Sequence, residues 1–248
     1  MRTPTVRLLA ASLGLATLLA ALLEAPRARA QNPQDADVLT APAPPHAWPA
    51  STWRIEAGYR GSYIPDEGFD PFSKDDYLPQ LSLTASRTVW TRGRLSFAPG
   101  LAWDHGSRSS NARGATTSLS LDRFTIPLEG RLHVDRWGYA FLRLAPGVVA
   151  EGVRVQEASG PAPYTKTGVV FATDLSAGYA LPLWRLGGPA SPARAWLQAD
   201  GGYGWVASER LALTPDVASD DPLRTRGVDL GSIATRGAFF RVGVALSF

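Results

Sequence analysis

The residues best suited to chemistry begin with a short run, Asp104-His105-Gly106-Ser107. A histidine two residues before a serine can serve as base to a nucleophilic hydroxyl, provided a carboxylate orients the ring. The next glutamate downstream is Glu129, on another predicted strand, so the trio is incomplete in sequence. A second run, Pro65 to Asp76, gathers Asp66, Glu67, Asp70, Asp75 and Asp76. Such oxygens suit a hard cation, but the spacing is not that of an EF-hand. Charge that keeps a loop solvated accounts for it. His46, His105 and His133 are dispersed and cysteine is absent, so no transition-metal site is expected. Asp135, near His133, belongs to a turn. Gly201-Gly202-Tyr203-Gly204 falls in a strand rather than a phosphate-cradling loop. No cofactor is expected.

The third group is larger and differently ordered. Arg54, Glu56, Arg60, Arg94, Glu129, Arg131, Arg143, Glu151, Asp174, Asp200 and Arg241 lie on predicted strands, each opposite in parity to apolar neighbours. Side chains alternate across a strand, so these charges share one face and the apolar residues the other. A face that collects both signs of charge must pair them or hydrate them. The predicted chemistry is therefore an arginine–carboxylate network, with Gly and Ala of the same parity leaving room for it.

Eight segments carry this alternation: Thr52 to Ile64, Tyr77 to Trp90, Arg94 to Asp104, a fourth from Leu119 to Val134, Gly138 to Val155, Gly168 to Trp184, Arg194 to Ala207, and the C-terminal Gly237 to Phe248. In the fourth, Leu119 and Leu121 differ in parity from Phe124, Ile126 and Leu128, which predicts a bulge near Asp122. Short links alternate with long ones. If the chain starts on the periplasmic side, every short link lies there and every long link lies outside. Backbone in hydrocarbon must be fully bonded, and a closed barrel does this for β-structure. The expected fold is an all-β, closed, eight-stranded antiparallel up-and-down transmembrane barrel. Ten strands is the alternative, if Ser208 to Thr235 folds back into the wall. Trp53, Tyr63, Tyr77, Trp90, Trp103, Trp137, Tyr139, Trp184, Trp196, Trp205 and Phe248 sit near strand ends, where interfacial girdles form.

The N-terminus explains how such a chain would reach a membrane. Arg2 and Arg7 precede an apolar run, Leu8 to Leu23, and Ala28-Arg29-Ala30 fits a cleavage signal. Residues 1–30 read as a secretory signal peptide. Residues 31–51 read as a Pro/Ala-rich periplasmic leader, able to reach a periplasmic or envelope protein partner, and 52–248 as the barrel. The signal holds four of the 25 Lys and Arg and one of the 22 Asp and Glu. The remaining chain carries 21 of each, so charge gives no case for nucleic acid.

The whole stretch from Thr52 resembles the small eight-stranded outer-membrane barrels of the OmpA and OmpX type. In that class a terminal aromatic after alternating apolar residues is the signal read by the outer-membrane assembly machinery. Phe240, Val242, Val244, Leu246 and Phe248 match it. The resemblance implies an outer membrane of a Gram-negative cell and contact with its lipid and lipopolysaccharide; because the sequence stops on the last predicted strand, no peptidoglycan-binding domain is expected to follow it. It implies a non-enzymatic barrel that displays loops for envelope integrity or adhesion, or that serves a larger complex. Barrels in motility complexes of gliding bacteria are an analogy within that range. Two other classes remain: a narrow channel, and a hydrolase like the lipid A deacylases, which use a His-x-Ser. In that family the motif comes late in the chain, whereas His105 is early.

Overall fold

The computed structural model describes residues 53–112, 114–134, 138–158, 162–185, 193–217 and 227–248. The expected signal peptide (1–30), leader (31–51) and girdle residue Trp137 lie outside them. Twelve β-strands are present among the described residues. They are β1 Trp53–Tyr63, β2 Tyr77–Arg87, β3 Trp90–Arg92, β4 Leu95–Ala112, β5 Ala115–Thr125, β6 Leu128–His133, β7 Tyr139–Glu157, β8 Tyr164–Arg185, β9 Arg194–Val206, β10 Glu209–Pro215, β11 Val228–Ile233 and β12 Gly237–Ser247.

These strands make a ring of eight walls. β1 pairs with β2, β2 with β4, β4 with β5 and β6, both of these with β7, β7 with β8, β8 with β9, β9 with β12, and β12 with β1, always antiparallel. β3 extends the β2 wall and pairs with β4. β5 and β6 are one wall interrupted at Ile126 and Pro127, where proline has no N–H to give the ladder. The seam between first and last strands is bonded to its end: Trp53 N–H donates to Phe248 O at 2.8 Å, and Phe248 N–H donates to Trp53 O at 2.9 Å. A ring leaves no free edge in the wall.

Alternation gives the ring its outside. Leu81, Leu142, Leu175, Val169, Val242, Val244 and Leu246 point outward and are exposed, Val169 by 69%. So broad an apolar exterior has no place in water and matches a lipid-facing band. Its upper limit follows from register. Trp103, Phe124, Val148 and Phe171 stand side by side on β4, β5, β7 and β8. The next outward row is His105, Asp122, Ala150 and Val169, and above it come hydroxyls. From Tyr139 to that row is about the length a tilted strand needs to span hydrocarbon.

Three expectations change, and the ten-stranded alternative is not met. β4 and β5 run on above the band through a stretch that reads as a loop, ending at Ala112 and starting at Ala115. The fourth wall has no bulge near Asp122. Its pairing with β4 and β7 is continuous from Ala115 to Thr125, and Leu119 and Leu121 truly face inward. Tyr139 and Trp196 also face inward, buried, instead of joining a girdle. A ten-stranded wall does not form. β10 and β11 are a hairpin above the band that adds no wall to the ring, with Leu211 and Leu213 turned into the mouth and Thr214 and Pro215 paired with Thr165 and Tyr164 of β8.

Candidate functional site

Inside the ring the side chains form three storeys. The lowest is aromatic. Tyr139, Phe141 and Trp196 point inward from β7 and β9, with Tyr139 and Trp196 ring centres 5.4 Å apart. Trp196 Nε1 donates to Ser247 Oγ at 2.9 Å, and His133 Nε2 meets Ser96 Oγ at 2.7 Å. The guanidiniums of Arg54 and Arg131 lie over the Tyr139 ring at 5.4 and 5.1 Å. Positive charge is drawn to a ring face, so this storey closes the base and carries the first cations.

The middle storey holds the charge network. Glu129 binds Arg131 and Arg143, each at 2.6 Å, and Arg143 reaches Glu56 at 3.5 Å. Asp200 stands 4.0 Å from Arg143 and 3.5 Å from Arg241, linking this cluster to the one above. There Asp104 lies 3.0 Å from Arg60 and 3.6 Å from Arg241, and Asp174 lies 2.6 Å from Arg123 and also binds Arg60. Arg54 donates to Gln198 Oε1. Six guanidiniums thus face five carboxylates in a space only wide enough for side chains. Arg60 is 1% exposed. Gly204 is required beside it: a Cβ there would fall 2.8 Å from Asp174 Oδ1 and 3.1 Å from Arg60 Nη2.

Nine of the eleven charges predicted from parity meet in this storey: Arg54, Glu56, Arg60, Glu129, Arg131, Arg143, Asp174, Asp200 and Arg241. Glu151 faces inward just above it. Arg94 does not. It is exposed beside Gly93, whose φ of 59° makes the turn, because β4 begins one residue later than expected. Two members were missed. Asp104 is the inward continuation of Ser96, Ala98, Gly100 and Ala102. Arg123 was hidden by the supposed bulge, though it has the same odd numbering as Glu129 and Arg131.

The upper storey is apolar. Leu119, Leu121, Val149, Val153, Val155, Leu211 and Leu213 point inward around Phe69 and Phe72, which descend from the β1–β2 loop and are wholly buried. Short turns hold that loop: Phe69 N–H donates to Asp66 O at 2.7 Å and Phe72 N–H to Phe69 O at 2.9 Å. Asp66 Oδ1 accepts from Gly68 N–H at 3.0 Å, while Glu67, Asp70 and Asp75 face solvent. Among the described residues no three His, Cys, Asp or Glu side chains gather as a metal site. At the boundary below, Thr235 Oγ1 donates to Glu151 Oε1 at 3.1 Å. Glu209, paired with Lys166 at 3.1 Å, lies against Gly168, which is directly across from Glu151. Glu151 lies one residue beyond the last row of the lipid-facing band. Burial pushes its carboxyl up to about 7, with the neighbouring Glu209 charge acting the same way against the Thr235 bond.

The His-x-Ser lies on the outer face, at the upper limit of the apolar band. His105 Nδ1 meets Asp122 Oδ1 at 2.9 Å, so its carboxylate partner is Asp122 and not Glu129. Trp103 Nε1 donates to the same oxygen at 3.0 Å, and the two rings are stacked at 28°. Trp103 is two residues below His105 and Ser107 two above. The imidazole is thus held by Asp122 and Trp103, and among the described residues no hydrogen bond joins it to Ser107.

No protein-family model matches the chain, and no curated protein matches it in sequence. Solved structures similar in fold include Ail, the attachment invasion locus protein of Yersinia pestis, crystallised with the heparin analogue sucrose octasulfate. Its identity is 11%, its TM-score 0.45, and the match covers 80% of this chain and 99% of that one. The β domain of the Bordetella autotransporter BrkA matches at 11% identity and TM-score 0.41, over 80% and 100% of the two chains. The outer membrane protease OmpT of Escherichia coli matches at 10% identity and TM-score 0.41, over 83% and 98%. They share with this chain an antiparallel β-barrel, and nothing singles out the OmpA or OmpX type. Likeness at this level bears on neither activity nor partner, and the barrel stands on its own strand pairings.

Proposed function

We propose that the chain is an integral outer-membrane barrel of a Gram-negative envelope, sealed along its length and non-enzymatic, whose role is carried by its outer and extracellular surfaces. The observation that carries this reading is the occupied lumen: an aromatic base, an ion-paired middle and an apolar mouth follow one another along the barrel. A conduction path would have to break all three. The surfaces left for function are the hairpin tips, β10–β11 and the outer wall, which fits adhesion, envelope integrity or a place in a larger envelope complex. The assembly role expected of Phe240, Val242, Val244, Leu246 and Phe248 is supported by their position. All five face outward on the closing strand, with Phe248 at the periplasmic rim.

Planar-bilayer recording tests the seal. Purified barrel is expected to give no steady open state, and a large, sustained conductance would overturn the reading and restore the channel. Purification in mild detergent then tests the envelope-complex role: stable co-purifying envelope proteins support it, and an isolated monomer argues for a free-standing barrel. The second reading, a lipid-modifying hydrolase, is favoured by the His105–Asp122 bond and opposed by the missing bond from His105 to Ser107. Mass spectrometry of lipid A from cells with and without the protein decides it, since an unchanged acyl pattern removes the hydrolase.

A further inference from the structure

The outer wall above the lipid band contains a concavity of about 560 Å³. Two register rows build it. Ser107, Ser120, Gly152 and Thr167 stand side by side across β4, β5, β7 and β8, and Ser109, Ser118, Arg154 and Thr165 stand above them. The row beneath is His105, Asp122, Ala150 and Val169, the limit of the apolar exterior. The concavity therefore opens sideways, not toward bulk water, at the height where the outer leaflet's headgroups begin. Its floor carboxylate, Asp122, is already held by His105 and Trp103. Arg108 and Lys166 also line it, but Arg108 Nε donates to Tyr77 O at 2.9 Å and Lys166 is paired with Glu209. Arg154 is exposed, and no carboxylate lies within ion-pairing distance of it among the described residues.

We infer that this concavity holds the phosphorylated saccharide headgroup of an outer-leaflet glycolipid. The inference rests on the outer-membrane reading above. Six hydroxyls in two rows match the many donors and acceptors of a sugar, and a guanidinium forms forked bonds to a phosphate. Gly152 leaves the hollow between Ser120 and Thr167. The acyl chains of such a lipid would lie below, along Phe124, Val148 and Phe171. A phospholipid would meet the arginine but leave the hydroxyl rows without partners. An aqueous polysaccharide would have no use for a site resting on an apolar band.

The test uses the full barrel in detergent micelles with three probes: bisphosphorylated lipid A, its dephosphorylated form, and phosphatidylglycerol. Native mass spectrometry measures retention. Wild type is expected to retain the phosphorylated glycolipid over both others. Arg154→Gln and Gly152→Leu should each reduce retention by about tenfold or more. A Cβ at Gly152 would press on the rotatable Ser120 Oγ at 2.7 Å and otherwise touch Ser120 O at 4.0 Å, so the second variant fills the hollow without touching the interior. Arg92→Gln, on the exposed end of β3 at the opposite rim, should change nothing. Equal retention by wild type and both variants overturns the inference, as does phosphatidylglycerol or dephosphorylated lipid held equally well. A barrel that is sealed but fails to retain the glycolipid refutes this inference alone. A barrel that conducts refutes the sealed lumen alone.

Discussion

The lumen at membrane height and the mouth above it are built from the same strands with opposite polarity. Below the His105–Asp122–Ala150–Val169 row, apolar residues point out and charges point in. Above it, hydroxyls point out and leucine, valine and phenylalanine point in. The parity of β5 and β7 never changes; only the residue types on each face exchange. The solvent outside therefore decides what the inside may be. Against hydrocarbon, the interior is the only place for polar groups. Against water, the interior becomes an ordinary hydrophobic core. On the proposed reading, one barrel carries two seals, one electrostatic and one hydrophobic.

The strongest way to break that pairing is to unbalance the electrostatic seal. Glu129→Ala leaves Arg131 and Arg143 without their shortest partner and should cost about 3–5 kcal/mol, the usual penalty for orphaning a buried ion pair. Urea titration of the barrel in lipid vesicles measures it, and a loss below about 1 kcal/mol would mean that water replaces the pair without cost. Phe72→Ala attacks the other seal. It should cost about 3–5 kcal/mol within the mouth and speed hydrogen exchange in β10–β11. The lipid-spanning half should keep its heat-modifiable gel migration, and bilayer recording should still show no conductance. A steady current from Phe72→Ala alone would show that the charge layer seals nothing.

A gentler probe is pH, acting where the two regions meet. Glu151 has a raised pKa in the folded mouth, so folding favours its protonated form. That contribution is fully present below the ordinary glutamate value near 4.5 and is lost as pH rises toward about 7. Hydrogen exchange in the segments that contact Glu151, corrected for the intrinsic pH effect, should be faster at pH 8 than at pH 5 by about tenfold or more. Glu151→Gln keeps the Thr235 bond and should flatten the difference; an unchanged pH response in that variant would assign it to another group. The smallest effect is expected outside both seals. Arg210 and Asp229 form a close pair on the β10–β11 hairpin, but both are open to solvent. Arg210→Gln should leave the urea midpoint unchanged, and a clear shift would mean that the hairpin braces the ring.

Much of the lower region was readable because alternation is a strong signal: the ring of eight, the outward face and most of the charged interior follow from parity. The mouth was hard to read for the opposite reason. Leu119 and Leu121 obey the same odd numbering as Glu129, but an apolar residue on the charged face looked like a slip in register. Counting straight through would have placed them, and Arg123 with them, in the interior. Phe69 and Phe72 sit in a segment whose composition says only that it is acidic. Their burial depends on a pocket made by β5, β7, β8 and β10, which no local pattern encodes. Likewise His105 found its carboxylate across the strand pair, at Asp122, a relation set by register and not by spacing along the chain.

The tucked β1–β2 loop has a kinetic consequence. Lys74 is exposed on it, a ready site for trypsin by sequence. A protease needs several flanking residues in an extended, unbonded form, and here Phe69 and Phe72 are anchored in the mouth while Ile64 N–H is bonded to Asp76 O at 2.7 Å. Cleavage at Lys74 must therefore wait until the loop lifts out. Where reclosing is faster than cutting, the nick rate reports how often the mouth stands open. A lysine that looks like a weak point is, in this barrel, a clock for the upper seal.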